Sequence, residues 1–153
     1  MKKYWPRFLS FIKKPENVFI SLSLFFGVLS AILVPQLSVS DENMHYLRAY
    51  GISQGRVESG SRCTLPKDVA KRAGSVYEGN FSSDYSKPID RSSLNVDKCS
   101  SASGYPPIMH LPQAIGIGIA SLFNGSTGLT ILFGRLANVL FYSIAVYLII
   151  KWV

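Results

Sequence analysis

Charge is scarce in this chain. Lys, Arg, Asp and Glu make up 16% of its 153 residues, whereas hydrophobic residues make up 48%. Disordered chains show the opposite balance, because they have too little apolar surface to bury against the entropy of ordering, and that class is excluded. Cysteine is scarcer still. Cys63 and Cys99 are the whole complement, and neither belongs to the close pairs that zinc sites need. Gly116-Ile117-Gly118 lacks the third glycine and the preceding strand of a dinucleotide loop. No basic stripe is interleaved with aromatics, so the net charge of +7 does not point to a nucleic-acid partner.

What is abundant is concentrated. Asn17 to Ser40 holds no charged residue, and Val18 to Val34 is almost wholly apolar. A run of about 18 or more such residues can cross the hydrocarbon core as a helix. A span over 17–36 is therefore predicted, in an α-helical integral membrane protein surrounded by lipid. Lys2, Lys3, Arg7, Lys13 and Lys14 precede it with only Glu16 against them. A short basic flank of this kind is retained in the cytoplasm, which makes 1–16 the cytoplasmic N-terminus. Ser38-Val39-Ser40 would suit a signal peptidase, but the apolar run exceeds a signal peptide's core, and an uncleaved anchor is the expectation.

Residues 37–110 carry nine Lys/Arg and eight Asp/Glu, nearly neutral, and are expected to lie outside, periplasmic or extracellular. Ser38 or Ser40 can cap a helix over 41–54, whose first turn holds Asp41 and Glu42. Asp41, His45 and Arg48 follow i, i+4, i+7 spacing and share one face, with Met44, Leu47 and Ile52 on another. A short helix from Val69 to Ala73 follows Pro66-Lys67-Asp68. Ser82 to Gly104 has no apolar period and reads as a loop tied by a Cys63–Cys99 disulfide rather than a domain with its own core. Such a closure would contribute about 3 to 4 kcal/mol through chain entropy. Two unpaired thiols are the other reading.

Leu111 to Ile150 carries a single charge, Arg135. Pro112 suits the first turn of a helix over 111–123, which is too short to span and is read as interfacial or as a short membrane helix. Its Ala114, Gly116, Gly118, Ala120 and Ser121 form small-xxx-small pairs that let helix backbones approach in lipid. A second span is expected over 129–152, with Lys151 and Trp152 at a headgroup boundary. The alternative arrangement counts 107–123 as a third, tilted crossing. A charge within an apolar helix persists by snorkelling, pairing or lining a polar cavity, and Asp41 and Glu42 stand near the same membrane face as Arg135.

Three segments, Asp41 to Tyr50, Tyr105 to Gly116 and Gly134 to Leu140, resemble in order the opening of a bacterial family of predicted membrane proteins (domain of unknown function 2142). That family is similar in turn to the multi-span GT-C glycosyltransferases, which use lipid-phosphate-linked sugars. In GT-C enzymes an acidic residue just after the first span is the catalytic base or helps hold a divalent metal, such as Mg or Mn, near the donor phosphate. The resemblance thus implies a bacterial inner (plasma) membrane location and catalytic or metal-holding roles for Asp41 and Glu42. A carboxylate pair can bind a hard cation or accept a hydroxyl proton. Arg48 and Arg135 could neutralise a substrate phosphate, with His45 joining the site.

Two readings follow. In the first, the chain is the N-terminal, GT-C-like part of a membrane glycosyltransferase that uses a polyprenyl-phosphate-linked sugar in cell-envelope polysaccharide assembly, incomplete as a single chain and dependent on other membrane helices or subunits. In the second, it is a non-catalytic small membrane protein or subunit whose exterior loop binds a partner. For either, Cys63 and Cys99 are expected to resist alkylation until a reductant is added. Rapid labelling of both thiols without reductant would place the loop in the cytoplasm or leave it unpaired.

Overall fold

The computed structural model describes residues 13–57, 63–75, 86–97 and 101–153. Helix α1, Pro15–Leu33, starts with proline in its first turn and Glu16 beside the unpaired N–H groups, both favourable there. It stops short of the expected 36 because Pro35 has no N–H to continue the ladder. At the far end of the chain, α5 covers Thr127–Trp152, opened by Ser126, whose hydroxyl accepts a hydrogen bond from the Leu129 amide at 3.3 Å. Among the described residues these two helices are long and apolar enough to cross a membrane.

They run antiparallel along a stripe of every fourth residue. Phe19 meets Tyr142 edge to face at 6.5 Å, the Ser23 and Ser143 hydroxyls bond at 2.7 Å, and a methyl on Gly27 would press on Val139. The serine pair gives two polar groups a partner inside an apolar layer, where each alone would be costly. The stripe ends where the last carbonyls of α1 reach Arg135. From Arg135 to Trp152 is about 27 Å of helix at 1.5 Å per residue, close to the roughly 28 Å of α1 and to the hydrocarbon thickness. The first two turns of α5 therefore project beyond α1.

Around that projection sits a head. Helix α2 covers Glu42–Ser53, strand β1 Cys63–Pro66, helix α3 Lys67–Ser75 and strand β2 Leu94–Asp97. After β2, 3-10 turns at Ser101–Gly104 and Pro107–His110 lead into α4, Leu111–Leu122. At 12 residues, about 18 Å, α4 is too short to cross. It turns at Asn124-Gly125 and forms a hairpin with α5, and the two backbones nearly touch. A methyl on Gly116 would run into the Phe133 carbonyl and lie 2.8 Å from the Ala137 Cβ, whereas Gly118 has open space around it.

The polar segment has more order than its composition suggests. Leu37, Tyr46, Ala49, Tyr50, Leu65 and Val69 join Ala114, Ile117 and Ile131 in one buried cluster, and the short helix expected over 69–73 is present as α3. β1 and β2 pair antiparallel, with Cys63 opposite Asp97. Cys99, the partner expected for Cys63, lies outside the described residues. The buried face of α2 holds Tyr46, Ala49, Tyr50 and Ile52, with Leu47 packed against it. Burial pushes the Tyr46 phenol well above its ordinary range, so it stays protonated. Thr130 gives its own hydroxyl proton to the Thr127 carbonyl, so Tyr46 donates to Thr130 Oγ1 at 2.8 Å.

No serine caps α2. The residue before it is Asp41, at φ 61°, and Ser38 donates instead to the Pro35 carbonyl. Leu37 is also left-handed, at φ 60°, a strained state for a branched side chain that its complete burial outweighs. Gly116→Leu is expected to lower the thermal midpoint of the detergent-solubilised protein, since overpacking costs about 1 to 3 kcal/mol, while Gly118→Leu leaves it nearly unchanged. Equal midpoints for the two variants would refute the close α4–α5 approach.

Candidate functional site

Arg135 organises the region where α1, α2 and α5 meet. Ala31 would ordinarily bond the amide of residue 35, but Pro35 has none, and the Arg135 Nη1 donates to the Ala31 carbonyl at 3.2 Å in its place. The same nitrogen donates to the Val34 carbonyl at 2.6 Å, and Nη2 to that of Pro35 at 2.9 Å. Glu42 receives the remaining fork, from Nε at 2.5 Å and from Nη2 at 2.8 Å. All five N–H groups of the guanidinium are thereby engaged. The cation also sits at the negative end of the α1 dipole.

Beside this clamp opens a cleft of about 540 Å³, lined by Ser40, Glu42, His45, Tyr105, His110, Gln113 and Asn138 among others, with Val39 and Met109 as apolar wall. His45 comes from α2 and His110 from the turn before α4. Their rings stack at 5.3 Å, with Nδ1 of His45 3.0 Å from Nε2 of His110. Tyr105 lies 6.0 Å from the His45 ring on the same side. Burial, and then the neighbouring His45, hold the His110 imidazole below its usual range, with Arg48 adding to the effect. His110 is thus neutral at neutral pH. Gln113 and Asn138 make no side-chain hydrogen bond among the described residues, which leaves two amides turned to the cleft.

The expected site residues separate. Glu42 and His45 line the cleft together with Arg135. Asp41, one residue outside the helix in a left-handed conformation, is exposed and is not among the lining groups. That backbone break is why the i, i+4, i+7 face does not extend back to it. Arg48 is buried, with Nη2 donating to the Val57 carbonyl at 3.2 Å, and it too lies outside the lining. His110, Gln113 and Asn138 were not singled out from the sequence. A signal existed for His110, because the chain has two histidines and both stand in the segments that carry the family resemblance.

A family model described as a predicted membrane protein, DUF2142, matches residues 24–153. The chain belongs to this family. No curated protein and no solved structure matches it. The DUF2142 match begins within α1 and takes in the clamp, the cleft and both histidines.

The two acids expected to hold a divalent ion have different surroundings in this DUF2142 chain. Both Glu42 oxygens accept from Arg135, Asp41 stands apart, and among the described residues no group of three or more His, Cys, Asp or Glu could hold a metal. A phosphate could reach Arg135 only by displacing Glu42 or a carbonyl of α1. The clamp's structural weight follows from its burial, with the Arg135 and Glu42 side chains only 12% and 14% exposed. Breaking such a pair costs about 3 kcal/mol. Arg135→Leu is expected to destabilise more than Glu42→Gln, because it also frees the α1 carbonyls. Unfolding in detergent reads this order, and an unchanged midpoint for Arg135→Leu would refute the clamp.

Proposed function

We propose that this chain forms the first-span part of a GT-C-like membrane glycosyltransferase, in which the cleft receives a hydroxyl-bearing acceptor and the sugar end of a polyprenyl-phosphate-linked donor during cell-envelope polysaccharide assembly. One observation carries the reading: a cleft with Glu42, His45, His110, Gln113 and Asn138 in its lining lies at the level where α1 ends and Arg135 stands, which is where the headgroup of a lipid-linked substrate would be. The residues lining it can do the corresponding work. Ser40, Gln113 and Asn138 offer hydrogen bonds to sugar hydroxyls, Tyr105 offers a ring face, and Val39 and Met109 can meet an acyl-like chain. Further helices would complete the enclosure, since α1 and α5 leave Phe25, Phe26, Ile32, Phe141 and Ile149 exposed. In this reading the basic N-terminus is cytoplasmic and the head lies outside.

The saturated clamp favours a second reading, in which Glu42 and Arg135 are structural and the head is a docking module of a non-catalytic subunit. The two separate in one experiment. Membranes containing the intact protein would be supplied with a radiolabelled polyprenyl-phosphate sugar, and label entering polysaccharide measured for wild type, Asn138→Phe and Asp41→Asn. The phenyl ring should fill the cleft and abolish transfer without touching the clamp or membrane insertion. Full incorporation by Asn138→Phe would overturn the cleft as the site. A loss with Asp41→Asn alone would move the acid role to the exposed carboxylate.

A further inference from the structure

The histidine pair has a chemistry of its own. Nδ1 of His45 is occupied by His110, so Nε2 is the nitrogen that His45 has left for the cleft it lines. Two protonation patterns satisfy the contact. In one, His45 Nδ1–H donates to His110 Nε2, and His45 Nε2 keeps a lone pair; in the other the donor is His110, and His45 Nε2 carries the proton. His110 Nδ1 is buried without a hydrogen-bond partner among the described residues in either pattern. Only the first pattern turns a lone pair of His45 to the cleft.

We infer that His45 and His110 act as one unit in the cleft, with His45 Nε2 as the proton acceptor for the hydroxyl of an acceptor substrate and His110 as the positioning residue that holds His45 in the required tautomer. The inference rests on the transferase reading and deepens it. The acceptor O–H proton passes to Nε2, and the oxygen's electron pair forms the bond to the anomeric carbon. The bond from that carbon to the donor phosphate oxygen breaks, and its electron pair leaves on the lipid phosphate. His45 becomes an imidazolium donating from Nδ1 to His110. Glu42, three residues back on the same helix, and Arg135, which holds Glu42, face the pair from α2 and α5, with Arg48 and Tyr105 as the other ionisable neighbours. Glu42 is not needed as the base in this scheme, which fits its engagement with Arg135.

The chain's two histidines make the test direct. Nitrogen-15 NMR of the histidine-labelled protein in nanodiscs should show the two rings shifting together as one proton is taken up by the pair, with Nδ1 of His45 protonated and Nε2 bare before that step. Independent titration of both rings near the ordinary imidazole value would overturn the pair. In the transfer assay His45→Ala should lower the rate about 100-fold or more, the range of general-base catalysis. His110→Leu should lower it several-fold and move the acid limb of the pH profile. His110→Gln, whose Oε1 can still accept from Nδ1–H, should restore much of the rate. Wild-type rates in His45→Ala, with Asn138→Phe inactive, would overturn the proton-acceptor role while leaving the cleft in place. Absence of transfer by the wild type would remove the transferase reading and this role with it, and the NMR result would then concern only the pair's geometry.

Discussion

Pro35 leaves the end of α1 one donor short, and Arg135 makes up the deficit. That substitution does more than finish a helix. By bonding three carbonyls at the C-terminus of α1, a guanidinium on α5 sets the relative height of the two apolar helices. By forking to Glu42 it also fixes where α2 begins after the left-handed turns at Leu37 and Asp41. A lysine has too few donors and no planar fork for this arrangement. The charge is tolerated beside an apolar layer because each of its donors has a partner and its negative partner is close.

The position of the cleft follows from the clamp. Its upper wall is the start of α2, its lower wall is α5 one turn past Arg135, and its side is the turn and first residues of α4. α4 can come so near because Gly116 and Gly134 remove the side chains that would hold it off. In lipid no hydrophobic gain drives two apolar helices together, so close backbone contact and a few interhelical hydrogen bonds carry the association. The head adds an ordinary water-facing core built on Tyr46 and Tyr50. The two kinds of packing meet at Thr130, which belongs to α5 and bonds Tyr46.

Much of this was readable as pattern. The apolar runs located both spans to within a few residues, since hydrocarbon thickness sets their length. Pro112 marked the start of α4, and the small-residue spacing that includes Gly116 marked its close packing. The neighbourhood of Arg135 and the acids was expected from their common membrane face, and the structure pairs Glu42 with Arg135. In the polar segment the helices over 41–54 and 69–73 were readable, whereas the pairing of β1 with β2 and the shared core were not. Its buried residues, Leu65, Val69 and Ala73, are too few and too widely spaced to form a period, and they become core only by contact with α2 and α4.

Sequence alone determined that this is a helical membrane protein of the DUF2142 kind, because a length of uncharged chain is a one-dimensional property and so is a family motif. Tertiary structure decided which charged groups meet. Asp41 and Glu42 are adjacent in sequence, yet one left-handed residue turns the first to solvent and the second into the clamp. His45 and His110 are 3.0 Å apart through contacts that no spacing rule encodes. Pairing across the fold depends on where helices end and how closely they pack, and those distances exist only once the chain has closed on itself.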